Sequence, residues 1–348
     1  MRVTVGIGTV ACLGVFVAGA ASLSPPRSTS PALTAAADAT ARIVASAQAL
    51  LATLDEAGRT KVQFPFDSSQ KARWSNLPTG IYKREGLRLG DLAPAQRAAA
   101  MALLSTAFSQ GGYRKVAEIM QGDEVLRGAP GGPPPGGAVR FGEDEYYLAF
   151  LGVPSVSARW MLQFGGHHLA INLTLAGRQA TLAPSHTAAQ PASYAFEGRT
   201  VRPLGSENDR AFALMATLDA AQRSQAILGY SVSDLVLGPG QDGRTIQAEG
   251  LKASALSAPQ QTMLTDLVRE WAGIANDALA APRMDEIRAR LPETYFAWSG
   301  PTTPGSASYF RIQGPNIVIE YAPQRGVDHI HTIYRDPTND YGAGFARE

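Results

Sequence analysis

Two histidines one residue apart, His329 and His331, follow a carboxylate, Glu320, in the stretch that runs from Asn316 to Tyr334. The first part, Asn316-Ile317-Val318-Ile319-Glu320-Tyr321, is rich in β-branched residues and begins after a Gly314-Pro315 breaker. The second, His329 to Tyr334, alternates polar and apolar residues, so the spacing predicts two paired strands. Alternate residues of a strand share a face, which would bring both imidazoles and Glu320 to one surface. A second histidine pair, His167-His168, follows Gly165-Gly166 at the start of another predicted strand. Imidazole and carboxylate together suit borderline divalent ions, so His168, His329, His331 and Glu320 form a candidate site for zinc, copper or iron. In that reading Glu320 is the fourth ligand or the general base, and a metal-bound water is the nucleophile of a hydrolysis. The same letters also fit a half-buried polar network, or a strand with its polar face in water. His186, the remaining histidine, stands isolated in the sequence.

Further residues are candidates for an outer layer or for substrate contact. His167 neighbours the proposed ligand His168, Arg311 and Arg335 could anchor an anionic substrate, and Asp336 or Asp340 could orient a histidine. Taken singly, the Asp336-Pro337 and Asn339-Asp340 steps read equally well as turns. The chain has no Gly-x-x-x-x-Gly-Lys phosphate loop, no His-Glu-x-x-His helix and no Gly-x-Ser-x-Gly elbow. A non-catalytic protein that binds a metal or a small ligand is therefore the alternative to a metal-dependent hydrolase.

The elements that must position these groups recur within the chain. Ala49-Leu50-x-Ala52-Thr53-Leu54-Asp55-x-Ala57-x-Arg59 returns as Ala213-Leu214-x-Ala216-Thr217-Leu218-Asp219-x-Ala221-x-Arg223. Helical periodicity follows in both copies, over 95–121 and 259–280. Tyr147-x-Ala149-Phe150-x-Gly152 then returns as Tyr295-x-Ala297-Trp298-x-Gly300. The pattern predicts an α+β protein of two homologous halves, each with helices followed by a small, mainly antiparallel sheet. We divide it into a first half over 38–185, a polar connector over 186–206 within a longer polar stretch from 176, and a second half over 207–348. The halves could be separate domains or share one sheet. In this alignment Asn172 stands at the position of Glu320, while His329 and His331 face Thr181 and Ala183, so the His-x-His strand is a property of the second half alone. A Gly/Pro-rich segment, Gly128 to Gly142, has no counterpart and reads as an exposed insertion.

Residues 1–20 join one positive charge to an apolar stretch and a small-residue end at Ala18-Gly19-Ala20, the pattern of a cleaved secretory signal, with 21–37 as a linker. This predicts a secreted or periplasmic protein; an uncleaved N-terminal membrane anchor is the alternative. The only cysteine, Cys12, lies in that segment, so a processed chain would have neither disulfides nor thiolate chemistry. With 31 basic and 30 acidic residues and no basic block, nothing favours nucleic acid, or a membrane beyond the signal, as a partner; a small molecule is the expected one.

Several of these motifs occur together in a fixed order: Gly166-His167-His168-Leu169; Trp298; Tyr309-Phe310-Arg311-Ile312-Gln313-Gly314-Pro315; Ile319-Glu320-Tyr321; His329-Ile330-His331; and Arg335-Asp336-Pro337-x-Asn339-Asp340-Tyr341-Gly342. In this combination the chain resembles the domain of unknown function 3500 family of bacteria and fungi, over nearly its whole processed length. The resemblance implies that the histidine and glutamate motifs travel together, and it brings no activity or substrate with it. Two stretches depart from the family pattern: Ala322-Pro323-Gln324, where acidic and amide residues are expected, and Pro184 to Gly198, where a Pro-x-Phe-x-Gly element is blurred.

Overall fold

The computed structural model describes residues 1–4, 6, 31–129 and 137–345. The signal-segment reading falls almost entirely on residues outside this set. The chain begins its regular structure with helices α1 (Pro31–Ala52) and α2 (Glu56–Val62), strands β1 (Gln63–Phe64) and β2 (Leu87–Arg88), and helices α3 (Pro94–Ala107) and α4 (Gln110–Gly128). Strands β3 (Tyr147–Leu151), β4 (Trp160–Gly166), β5 (Leu169–Ala176), β6 (Gln179–Thr181), β7 (Ser185–Ala189), β8 (Tyr194–Phe196) and β9 (Arg199–Val201) follow. The remainder contains α5 (Gly205–Thr217), α6 (Ala220–Ala226), β10 (Leu251–Lys252), α7 (Ala258–Ala272) and α8 (Asp277–Ala289). It ends with β11 (Tyr295–Ser299), β12 (Tyr309–Gly314), β13 (Ile317–Pro323) and β14 (Ile330–Arg335).

The fold is α+β, with eight α-helices among the described residues and a twelve-stranded sheet whose main order is β1-β3-β4-β5-β7-β14-β13-β12-β11-β10. Strand β2 pairs with β3, β6 with β5, and the only parallel pairing between named strands is β1 with β3. The strands of the two predicted halves thus share one sheet, which the sequence had left open. Their seam is β7 against β14, in register from Ile330 opposite Ala189 to Tyr334 opposite Ser185.

Strand parity separates two chemically different faces. Phe150, Phe164, Ile171, Phe296, Trp298, Ile312 and Ile319 belong to the buried core that the sheet forms with the helices. On that face Thr187 Oγ1 and Thr332 Oγ1 lie 2.8 Å apart across the seam, and Trp271 Nε1 of α7 donates to Thr332 Oγ1 at 2.8 Å. Trp271 is fully buried, which for a side chain of this size stabilises by about 3 kcal/mol. The opposite face carries Gln163, Asn172, His186, Arg311, Glu320, His331 and Arg335, all buried although polar. Two irregular segments cover it: residues 65–86, from which Gln70 donates to Gln163, and residues 228–250, whose carbonyls take Arg311, Gln313 and Arg335.

Three expectations about the elements change. Each long helical stretch is two helices. Ser109 caps α4, accepting from Gly112 N, and Asn276 caps α8, accepting from Ala278 N. The two breaks hold each other, because Ser109 N donates to Ile274 O and Asn276 N to Ala107 O. Paired capping side chains thus override the apolar periodicity. Residues 176–206 are not simply a polar connector, since they supply β6 to β9, and β7 is buried along its whole length. Polar residues occur there because Thr187 and His186 serve the two faces of the sheet. Helix α1 starts at Pro31, inside the expected linker.

Candidate metal centre

All five histidines of the chain converge on one end of the seam, His186 included. His167 and His168 form the two-residue turn between β4 and β5, where Gly166 pairs with Leu169. His168 takes φ 63°, a left-handed conformation that costs a non-glycine residue about 1–3 kcal/mol. The surroundings hold that turn in place. Ala188 N donates to His168 O, His168 N to Asn76 O, Tyr146 Oη to His167 O, and Arg84 Nη2 to Gly166 O. Glycine would satisfy this backbone with less strain, so the imidazole is kept there against a local preference.

The side chain of His168 reaches across to β14. His168 Nε2 lies 2.9 Å from His329 Nε2, and His331 Nε2 lies 2.9 Å from the same atom. An imidazole nitrogen has either one proton or one lone pair in its ring plane, so His329 Nε2 can complete only one of these two contacts as a hydrogen bond. A cation would resolve the conflict, because all three nitrogens could then turn lone pairs inward. Neighbouring ligand nitrogens around an ion bound at 2.0–2.1 Å stand roughly 3.0–3.4 Å apart, close to the observed spacing.

The protonation states suit this role. Burial, followed by the neighbouring imidazoles, holds His168 well below the ordinary histidine value, and the same causes bring His329 down to about 4. Both rings are therefore neutral near pH 7 with a lone pair available. His168 and His331 are buried and His329 is half-buried, so the centre meets solvent on the His329 side.

Asp234, from the segment covering the polar face, stands behind His331, its Oδ1 3.4 Å from His331 Nδ1. Burial raises this carboxyl, but the His331 side chain and the Leu235 N–H outweigh it and hold the group below the usual carboxylate range. Gln324 Nε2 and Leu235 N donate to the same Oδ1, at 2.7 and 2.6 Å, which fixes the carboxylate and leaves Oδ2 without a hydrogen bond among the described residues. Asn76 Nδ2 approaches His331 Nε2 at 3.5 Å, the outer limit of such a contact.

A second group of potential ligands, Asp123, His167 and His168, adjoins the first. His167 Nδ1 lies 2.6 Å from Asp123 Oδ1, while the His167 and His168 rings stack with centroids 3.6 Å apart and planes 28° from parallel. An ion in the plane of one stacked ring falls well out of the plane of the other, so these rings cannot both coordinate it with good geometry. Asp123 instead orients His167, and His167 is the platform on which His168 rests.

The remaining sequence candidates lie elsewhere. Glu320 is fully buried, accepting from Val236 N at 2.9 Å, Leu237 N at 2.7 Å and Tyr309 Oη at 2.7 Å, and it is not part of either ligand group. Arg311 bonds Glu249 and Gln247 O, not an open cleft. Arg335 is fixed by Asp242, Asp340 and the carbonyls of Leu237 and Gly238, and Asp336 pairs with Arg283. Neither Asp336 nor Asp340 bonds a histidine; Asp123 and Asp234 do that. No local pattern marks these two aspartates, which lie in a helix and in a loop far from the histidines in sequence.

The family profile described as protein of unknown function (DUF3500) matches residues 36–343. The chain belongs to this family. No curated protein and no solved structure matches it. The DUF3500 match takes in all five histidines, Asp123, Asp234 and both segments that cover the polar face.

Proposed function

We propose that the protein binds one divalent transition metal through His168, His329 and His331, and that the bound ion activates water for hydrolysis. The observation carrying this reading is that His168 Nε2 and His331 Nε2 both lie 2.9 Å from His329 Nε2, contacts of which hydrogen bonding can satisfy only one. Three protein ligands leave at least one coordination position for water or substrate, the arrangement of catalytic rather than structural zinc sites. Asp234 replaces Glu320 as the carboxylate of the site. It orients His331 through Nδ1, on the ring edge opposite the Nε2 that would hold the ion. Secretion directed by residues 1–20, and descent of the two halves from a duplication, belong to the same proposal.

The test is elemental analysis by plasma mass spectrometry of tag-free protein, beside a His329→Ala/His331→Ala variant. Near-stoichiometric zinc, copper or iron that disappears in the folded variant supports the centre. No metal in either protein after loading with these ions would sink it. Hydrolysis is tested separately, by turnover of activated phosphate and carboxylate esters: activity lost in both the double variant and Asp234→Asn supports a hydrolase. Metal binding without turnover favours the second reading, a non-catalytic metal binder, which the burial of two of the three ligands also fits.

A further inference from the structure

On the helical side of the sheet, away from the histidines, the two helix breaks border a cleft of about 790 Å³, within the range of small-molecule sites. Its walls come from the start of α4, the segment leading into α5, the end of α7, and α8. Six basic side chains line it, Arg114, Lys115, Arg202, Arg210, Arg269 and Arg288, against three acidic ones, Glu118, Glu270 and Asp277. Basic groups thus outnumber acidic ones in the lining itself, while Glu207, Asp209, Asp266 and Asp285 pair with four of them from outside it.

The floor is neutralised within the protein. Lys115 Nζ lies 2.5 Å from Glu207 Oε1 and 3.4 Å from Glu270 Oε2, and Arg210 pairs with Glu270 at 2.8 Å. The rim is not. Arg202, Arg269 and Arg288 pair with Asp209, Asp266 and Asp285, none of which lines the cleft. The pairs of Arg269 and Arg288 are solvent-exposed and hold an arginine only weakly, whereas Arg202 forks onto both Asp209 oxygens at 2.8 Å. Arg114 has no carboxylate partner among the described residues. The first turn of the 19-residue helix α4 opens at the same place, and the N–H groups of Gln110 and Gly111 have no intrahelical acceptor.

We propose that this cleft binds a small, multiply charged anion with two or more phosphate or carboxylate groups. Arg114 and the start of α4 would take one group, and Arg269 and Arg288 on the facing helices another. Guanidinium forks spread over two walls suit separated oxyanions better than a single ion.

The experiment is calorimetric titration of the metal-free full chain with tripolyphosphate and, separately, with citrate, at fixed ionic strength. The proteins are wild type, Arg114→Ala/Arg288→Ala, Gly111→Glu and His329→Ala/His331→Ala. A side chain at Gly111 meets open space, and a carboxylate in a first helical turn favours folding, so Gly111→Glu repels an anion without disturbing α4. We expect one saturable site, weakened at least tenfold in the double-arginine and Gly111→Glu variants and unchanged in the histidine variant. The tighter of the two probes then identifies the anion as phosphate-like or carboxylate-like. No saturable binding of either probe overturns the proposal. So does binding that survives both cleft variants or is lost in the histidine variant.

Discussion

His168 Nε2 and His329 Nε2 lie 2.9 Å apart although 161 residues separate them, one in the β4–β5 turn and the other at the edge of β14. The contact exists because β5 and β14 both flank β7, so that single strand brings the two histidine motifs together. Metal affinity should therefore depend on residues that hold the turn and the strand in register as much as on the ligands themselves.

Asp234 touches the proposed metal only through His331. Asp234→Asn should weaken metal binding by about 10–100-fold, the usual effect of losing a carboxylate behind a ligating histidine, with little change in the stability of metal-free protein. Competition against a chromophoric chelator measures it, and an unchanged affinity would remove Asp234 from the centre.

His168 occupies a backbone conformation that suits glycine. His168→Gly should abolish stoichiometric metal, and relief of the backbone strain should offset part of the lost burial of the ring, so the metal-free protein should be destabilised by no more than about 2 kcal/mol. A large loss of stability in urea unfolding would show that the ring is needed for packing and not for coordination.

Glu320 separates structure from chemistry. Glu320→Ala leaves the Val236 and Leu237 amides and the Tyr309 hydroxyl without their acceptor, so we expect destabilisation by about 3 kcal/mol or more. Its metal content, measured on folded protein, should equal that of wild type. Loss of metal at full stability would reverse this assignment.

Metal-free protein should lose stability in mild acid. Burial, then the neighbouring imidazoles, keeps His168 and His186 well below the ordinary histidine value and His329 at about 4, whereas in an unfolded chain all three titrate near 6.5. Between these values the unfolded chain binds more protons, so the unfolding free energy falls as pH drops from about 6.5 towards 4 and is level above that window. Urea midpoints at pH 5 and pH 7.5 test this, and equal midpoints would contradict it. His186 contributes because neither of its ring nitrogens has a hydrogen-bond partner in the described structure.

The residue pattern by itself carried the α+β class, the strands around Glu320 and His331, and the pairing of His329 with His331, because strand alternation and breaker residues are local signals. It also supplied the family, through motifs whose order and spacing survive without any fold. The tertiary structure alone decided that both sets of strands form one sheet, since the β7–β14 pairing depends on contacts between distant segments. It brought in His186, Asp123 and Asp234, and it took Glu320 out of the ligand set. Strand parity puts Glu320 on the same polar face as His331, yet the loop folded over that face gives its oxygens to two amides and a tyrosine. What lies over a face is set by chain crossings far apart in sequence, which local periodicity does not encode.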